Sequence, residues 1–157
     1  TLNNQIYSII SEVKEFLPDA IIGVHSHNDS DLAIANSLAA VEAGATQIHG
    51  TINGYGERCG NANLCSVIPN LQIKLDYNVI GDNVEKLCHV SRQIAEIANR
   101  KASYYAPFVG RSAFAHKAGI LCRPLRDLGD ILRRYAHHLL KRLADFEVGL
   151  AAQGKHH

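Results

Sequence analysis

Two short β-branched runs on either side of an alanine-rich helical stretch constrain the fold of this chain more than any other feature. The first covers residues 21–27 and the second residues 47–52. Between them, residues 31–43 carry Leu32, Ile34, Leu38 and Val41 among alanines, with Gly44 placed as a left-handed cap and Ala45-Thr46 as a two-residue link. Ahead of the first run, Ile6, Ile9, Ile10, Val13, Phe16 and Leu17 recur at helical spacing behind capping residues at 1–4, and Pro18-Asp19 ends that helix. Helix, strand, helix, strand at this spacing is the rhythm of βα units, so the sequence predicts an α/β fold with a parallel sheet.

The first run ends in Val24-His25-Ser26-His27-Asn28-Asp29. In a strand over 21–27, alternation places His25 and His27 on one side and Val24 and Ser26 on the other. Two imidazoles at one strand end suit adjacent ligands of a divalent metal such as Zn, Mn or Fe. Alone the motif is weak, and the alternative is a pair of polar side chains satisfied at a strand end. After the second run comes Asn53-Gly54-Tyr55-Gly56-Glu57-Arg58-Cys59-Gly60-Asn61, at what would be the carboxyl end of a strand, where ligand sites gather in parallel α/β folds. Its glycines admit a ligand close to the backbone, and Glu57, Arg58 and Asn61 add polar side chains. It is neither a Walker loop nor a Rossmann fingerprint. A plain flexible turn is the alternative.

Further on, residues 62–75 read as helical, broken or kinked at Pro69, and residues 82–99 as a helix opened by the capping-box spacing Asp82-Asn83-Val84-Glu85. Residues 103–107 read as a linker and residues 108–119 as a loop reaching away from the main body. Residues 127–146 form a basic amphipathic pattern with the period of a packed helix.

Composition excludes several classes of function. With a net charge of +1 there is no global field favouring nucleic acid or an anionic membrane. No apolar run approaches the roughly 18 to 20 residues of a membrane span, and no signal-like segment opens the chain, so a cytoplasmic location is expected. The four cysteines form no C-x-x-C pair, which disfavours a zinc knuckle or redox motif. Methionine is absent even at position 1, so the chain is expected to be a fragment or a processed product.

Together, Gly23-Val24-His25-Ser26-His27-Asn28-Asp29 and Gly50-Thr51-Ile52-Asn53-Gly54-Tyr55-Gly56-Glu57-Arg58-Cys59-Gly60-Asn61-Ala62 resemble the metal-dependent acyl transferases and lyases on a (β/α)8 barrel. These include citramalate, isopropylmalate and homocitrate synthases and 3-hydroxy-3-methylglutaryl-CoA lyase. The run 50–71 and the segment 108–119 look most like citramalate synthase and its relatives. The resemblance implies a partial TIM barrel, its last strands and helices forming the C-terminal part of the catalytic domain over residues 1–102. A connecting segment would follow over 103–120, and a divergent helical tail over 121–157.

The resemblance also implies that His25, His27 and Asn61 bind a divalent metal (Mn, Mg or Zn), while Gly54, Gly56, Glu57, Arg58 and Gly60 line the pocket for acetyl-CoA and a 2-oxo acid. In the family the metal polarises the keto group, a base removes a proton from the acetyl methyl group, and thioester hydrolysis drives the condensation. A homo-oligomer in branched-chain amino-acid biosynthesis, without nucleic-acid or membrane partners, is implied for the whole protein.

Three departures accompany the resemblance. The family's aspartate ligand, followed by Arg-Glu, is absent. Leu121 stands where the family has a histidine that helps activate acetyl-CoA, and His116 is displaced from that position. From Leu121 onward the sequence leaves the family, as a frameshift, an assembly junction or a natural tail would produce. The leading expectation is an acyltransferase fragment inactive alone. The alternatives are a non-catalytic assembly fragment and an acyl-CoA lyase of the same barrel.

Overall fold

The computed structural model describes residues 1–115. Helix α1 spans Asn3–Phe16, strand β1 Gly23–His25, helix α2 Ala33–Glu42, strand β2 Gln47–His49, helix α3 Leu64–Pro69 and helix α4 Leu87–Ile97. Strands β1 and β2 pair in parallel, with Gly23 opposite Gln47, Val24 opposite Ile48 and His25 opposite His49. The expected strand–helix–strand unit is therefore present. Both strands are shorter than the β-branched runs, and the chain beyond them continues through isolated bridges, His27 with Asn61 and Thr51 with Asn63.

The alanines of α2 explain how it crosses the sheet. Ala33 and Ala40 are fully buried, and without longer side chains the helix can lie close to its neighbours. Ala33 joins Ala62, Val67 and Leu71 in one apolar cluster, with Ile34, Leu38, Ile48 and Leu64 packed around it. Helix α1 lies along α2 with Ile6 and Ile10 half-buried. Its apolar stripe is wider than the surface it covers, and Phe16 is 85% exposed. Among the described residues only α2 offers this stripe substantial packing.

Helix α3 runs to Pro69, whose missing N–H removes the bond to the Cys65 carbonyl, and the helical chain widens there into a π turn over Asn70–Lys74. The Asn70 amide donates to the Ser66 carbonyl there, at 2.8 Å. The expected helix over 82–99 instead begins as a 3-10 turn, Gly81–Lys86, before α4 proper, and its capping box does not form. Asn83 donates back to the Ile80 carbonyl, and the Asn78 side chain accepts from the Gly81 N–H. These local bonds compete with a regular helix start.

Residues 103–115 do not reach away from the body. Val109 and Phe114 enter a second core cluster with Cys65, Val84 and Leu87, and Gly110 packs so closely on the backbone of Tyr104 and Ala106 that a side chain would not fit. The expected helix over 127–146, together with His116, Leu121 and the departure from the family, lies outside the described residues. Among the described residues no helix is long and apolar enough to cross a membrane.

Candidate functional site

Alternation along β1 carries Val24 toward the helices and leaves His25 on the open face of the sheet. His27 lies on the same side, its ring centroid 5.0 Å from that of His25 in an edge-on arrangement. The sequence had paired these two rings, and the fold brings them together. It adds a third that periodicity within one strand could not reveal: His49, directly opposite His25 in the parallel register, with ring centroids 6.1 Å apart. Knowing the pairing register would have exposed it.

The glycine loop returns to this face. Asn28 N–H donates to the Gly60 carbonyl at 2.8 Å and Ala62 N–H to the Ser26 carbonyl at 3.0 Å, framing the antiparallel bridge between His27 and Asn61. Residues directly opposite in such a bridge project to the same face, so the His27 imidazole and the Asn61 amide are neighbours. Two glycines make this approach possible. Gly60 has φ +94°, and a Cβ there would overlap the Gly54 carbonyl; a Cβ on Gly56 would come within 2.6 Å of Asn61 Nδ2.

The loop is anchored on both sides. Asn53, itself left-handed at φ 64°, donates to the Ser91 carbonyl at 2.8 Å and accepts from the Ser91 hydroxyl, fixing the loop's start to α4. Arg58 grips Asp29 with two parallel bonds, 3.0 Å from Nε and 2.8 Å from Nη2. Those hydrogen bonds and the guanidinium charge hold the Asp29 carboxyl below its ordinary range. Glu57 lies outward, 3.9 Å from Arg58 Nη1. Asn28 accepts from the Ala33 N–H at 3.2 Å and so satisfies a donor in the first turn of α2.

Two buried polar atoms here lack any protein partner: Nδ1 of His27 and Oδ1 of Asn61. Orphaned acceptor-type atoms side by side cost free energy unless something satisfies them, and a cation would satisfy both. A neutral imidazole nitrogen and an amide oxygen are donors that borderline and hard divalent ions accept. Among the described residues no cluster of three or more His, Cys, Asp and Glu side chains is arranged to hold a metal. The donors available are therefore His25, His27 and the Asn61 amide oxygen, which fit such an ion as part of a set. An apolar cavity of about 640 Å³ lined by Val41, Ile48, Leu64 and Leu71 lies on the Ile48 side of β2, opposite the histidine face.

The family model described as HMGL-like matches residues 1–94. The chain is 57% identical over 121 residues to (R)-citramalate synthase of Aquifex aeolicus, covering 76% of this chain and 23% of that protein. It is 46% identical over 116 residues to 2-isopropylmalate synthase of Sulfolobus acidocaldarius, covering 74% and 30%. The chain thus spans about a quarter of the length of the curated relatives it matches. The matched region lies in the N-terminal part of those relatives. Among solved structures, an HMG-CoA lyase from Bacillus subtilis shares the fold at TM-score 0.56 and 22% identity, over 65% of this chain and 36% of that one. Another from Acinetobacter baumannii, in complex with coenzyme A and 3-methylmalate, gives TM-score 0.54 at 24% identity, over 65% and 35%.

Proposed function

The chain belongs to the HMGL-like family, and on that premise we propose that it is part of an acyltransferase condensing acetyl-CoA with a 2-oxo acid of the pyruvate or 2-oxoisovalerate type. The product is a 2-hydroxy dicarboxylic acid. The observation that carries this reading is the orphaned pair His27 Nδ1 and Asn61 Oδ1, beside His25 on one face of the sheet. High identity to citramalate and isopropylmalate synthases supports the synthase chemistry. The lyase alternative has support from the fold alone.

In this reading His25, His27 and Asn61 hold a divalent cation, Mn, Mg or Zn. A cation held by these residues would supply Lewis-acid polarisation of the 2-oxo acid's keto group. The loop that carries Gly54, Gly56, Glu57, Arg58 and Gly60 lines the pocket, its backbone turned to the 2-oxo acid and acetyl-CoA. Residues 1–102 are part of the barrel domain, 103–120 a connecting segment and 121–157 a divergent tail. The whole protein is a cytoplasmic homo-oligomer of branched-chain amino-acid biosynthesis.

Among the described residues two strands supply only part of the wall of a barrel that needs eight, and on this reading the chain alone is inactive. The test is a chimera in which the matched 121-residue stretch of the Aquifex aeolicus synthase is replaced by its counterpart from this chain. With acetyl-CoA, pyruvate and Mn²⁺ the chimera releases CoA, and a His25→Ala/His27→Ala version loses roughly 10³-fold or more of that rate. An equally active double variant would overturn the reading.

A further inference from the structure

We propose that the Arg58–Asp29 ion pair is a tether that holds the glycine loop on the end of the histidine strand and so keeps His27 and Asn61 side by side as a ready-made pair of cation donors. The inference rests on the reading of those two residues as ligands. Arg58 and Asp29 lie 29 residues apart and meet in a two-pronged contact of 3.0 and 2.8 Å. Asp29 follows His27 by two residues, and Arg58 precedes Asn61 by three. The pair therefore closes a small ring whose other side is the two backbone bonds from Asn28 to Gly60 and from Ala62 to Ser26.

The backbone of Arg58 supports a positional role. Its φ is 52°, in the left-handed region that costs a residue with a Cβ, and such strain persists where surrounding contacts impose it. Planar, fork-shaped guanidinium geometry suits this bridge in a way a lysine would not. Pairing also cancels a positive charge three residues before Asn61 that would otherwise repel a divalent cation. Arg58 is thus a positioning residue. Its side chain is 54% exposed, and exposed pairs add little to global stability, so its effect is confined to the local register.

The test is backbone hydrogen exchange, by NMR, at the Asn28 and Ala62 amides of the full metal-free chain. In Arg58→Ala both amides exchange roughly threefold to fivefold faster while the thermal midpoint stays put. The charge-swapped double variant Asp29→Arg/Arg58→Asp returns the rates to within about twofold of the parent, aspartate tolerating positive φ better than most residues. Unchanged exchange in Arg58→Ala, no recovery in the swap, or a fall in the thermal midpoint would each overturn the tether. Titration with Mn²⁺ separates this from the ligand reading. Asp29→Ala, which leaves the arginine only its 3.9 Å contact with Glu57, weakens Mn²⁺ binding more than Arg58→Ala does, and the reverse order would also count against the tether. Identical Mn²⁺ affinity in the parent and His25→Ala/His27→Ala would sink the ligand reading, whatever the exchange rates show.

Discussion

The imidazole of His27 and the amide of Asn61 meet across an antiparallel bridge, and each keeps one buried polar atom, Nδ1 and Oδ1, that no protein group satisfies. That relationship makes Asn61 a sensitive probe. Asn61→Asp loses the Nδ2 bond to the Tyr55 carbonyl and buries a carboxylate without a partner. The metal-free variant is expected to lose about 1–3 kcal/mol of stability, and Mn²⁺ to raise its thermal midpoint more than it raises the parent's. Thermal melts with and without Mn²⁺ check this; a variant insensitive to the metal would mean that Oδ1 does not face a cation.

Gly60 tests whether the loop's approach is geometric. At φ +94°, and with no space beside the Gly54 carbonyl, alanine is both strained and obstructed. Gly60→Ala should cost more than about 1 kcal/mol in denaturant unfolding, and should shift the NMR resonances of Asn28 and Asn61. Silence at those two positions would show that the turn has another way to close.

Phe114 reports on the segment after residue 102. It is 9% exposed and packs with Cys65, Val84 and Leu87, whereas Tyr105 is 81% exposed. Phe114→Ala should destabilise by about 3–5 kcal/mol, enough to unfold a marginal domain, and Tyr105→Ala by no more than roughly 0.5 kcal/mol. Similar losses from the two in urea melts would place the segment outside the core.

Thiol reactivity separates two of the cysteines. Burial pushes the Cys65 thiol up, only partly countered by its contacts with Asn53 and Ser91, while Cys59 is exposed in the glycine loop. Less thiolate and less access both slow alkylation, so at mildly alkaline pH iodoacetamide should modify Cys59 at least about tenfold faster than Cys65. Peptide mapping by mass spectrometry reads the order, and early modification of Cys65 would contradict its burial.

These residues also show what a sequence can reveal. Period-2 alternation put His25 and His27 on one side because that rule is local, and the alanines announced a crossover helix for the same reason. Strand length was not legible: past His25 and His49 the two strands stop pairing with each other and turn instead to Asn61 and Asn63 through isolated bridges. Helix α4 starts later than the capping-box pattern implies because Asn78 and Asn83 offer the backbone competing bonds. Arg58 was recognisable as a polar loop residue, yet its partner Asp29 lies 29 positions away, and His49 becomes a neighbour of His25 only through pairing register. Likewise the linker-like composition of residues 103–107 gave no sign that Val109 and Phe114 would enter the core.

The central claim is that two imidazoles and an amide oxygen on one sheet face bind a divalent cation. Calorimetric titration of the 157-residue chain with Mn²⁺, beside the His25→Ala/His27→Ala variant, tests it most directly. The account predicts saturable binding of one ion by the parent, weak for want of a carboxylate ligand, and none by the variant. Matching isotherms from the two proteins would contradict it.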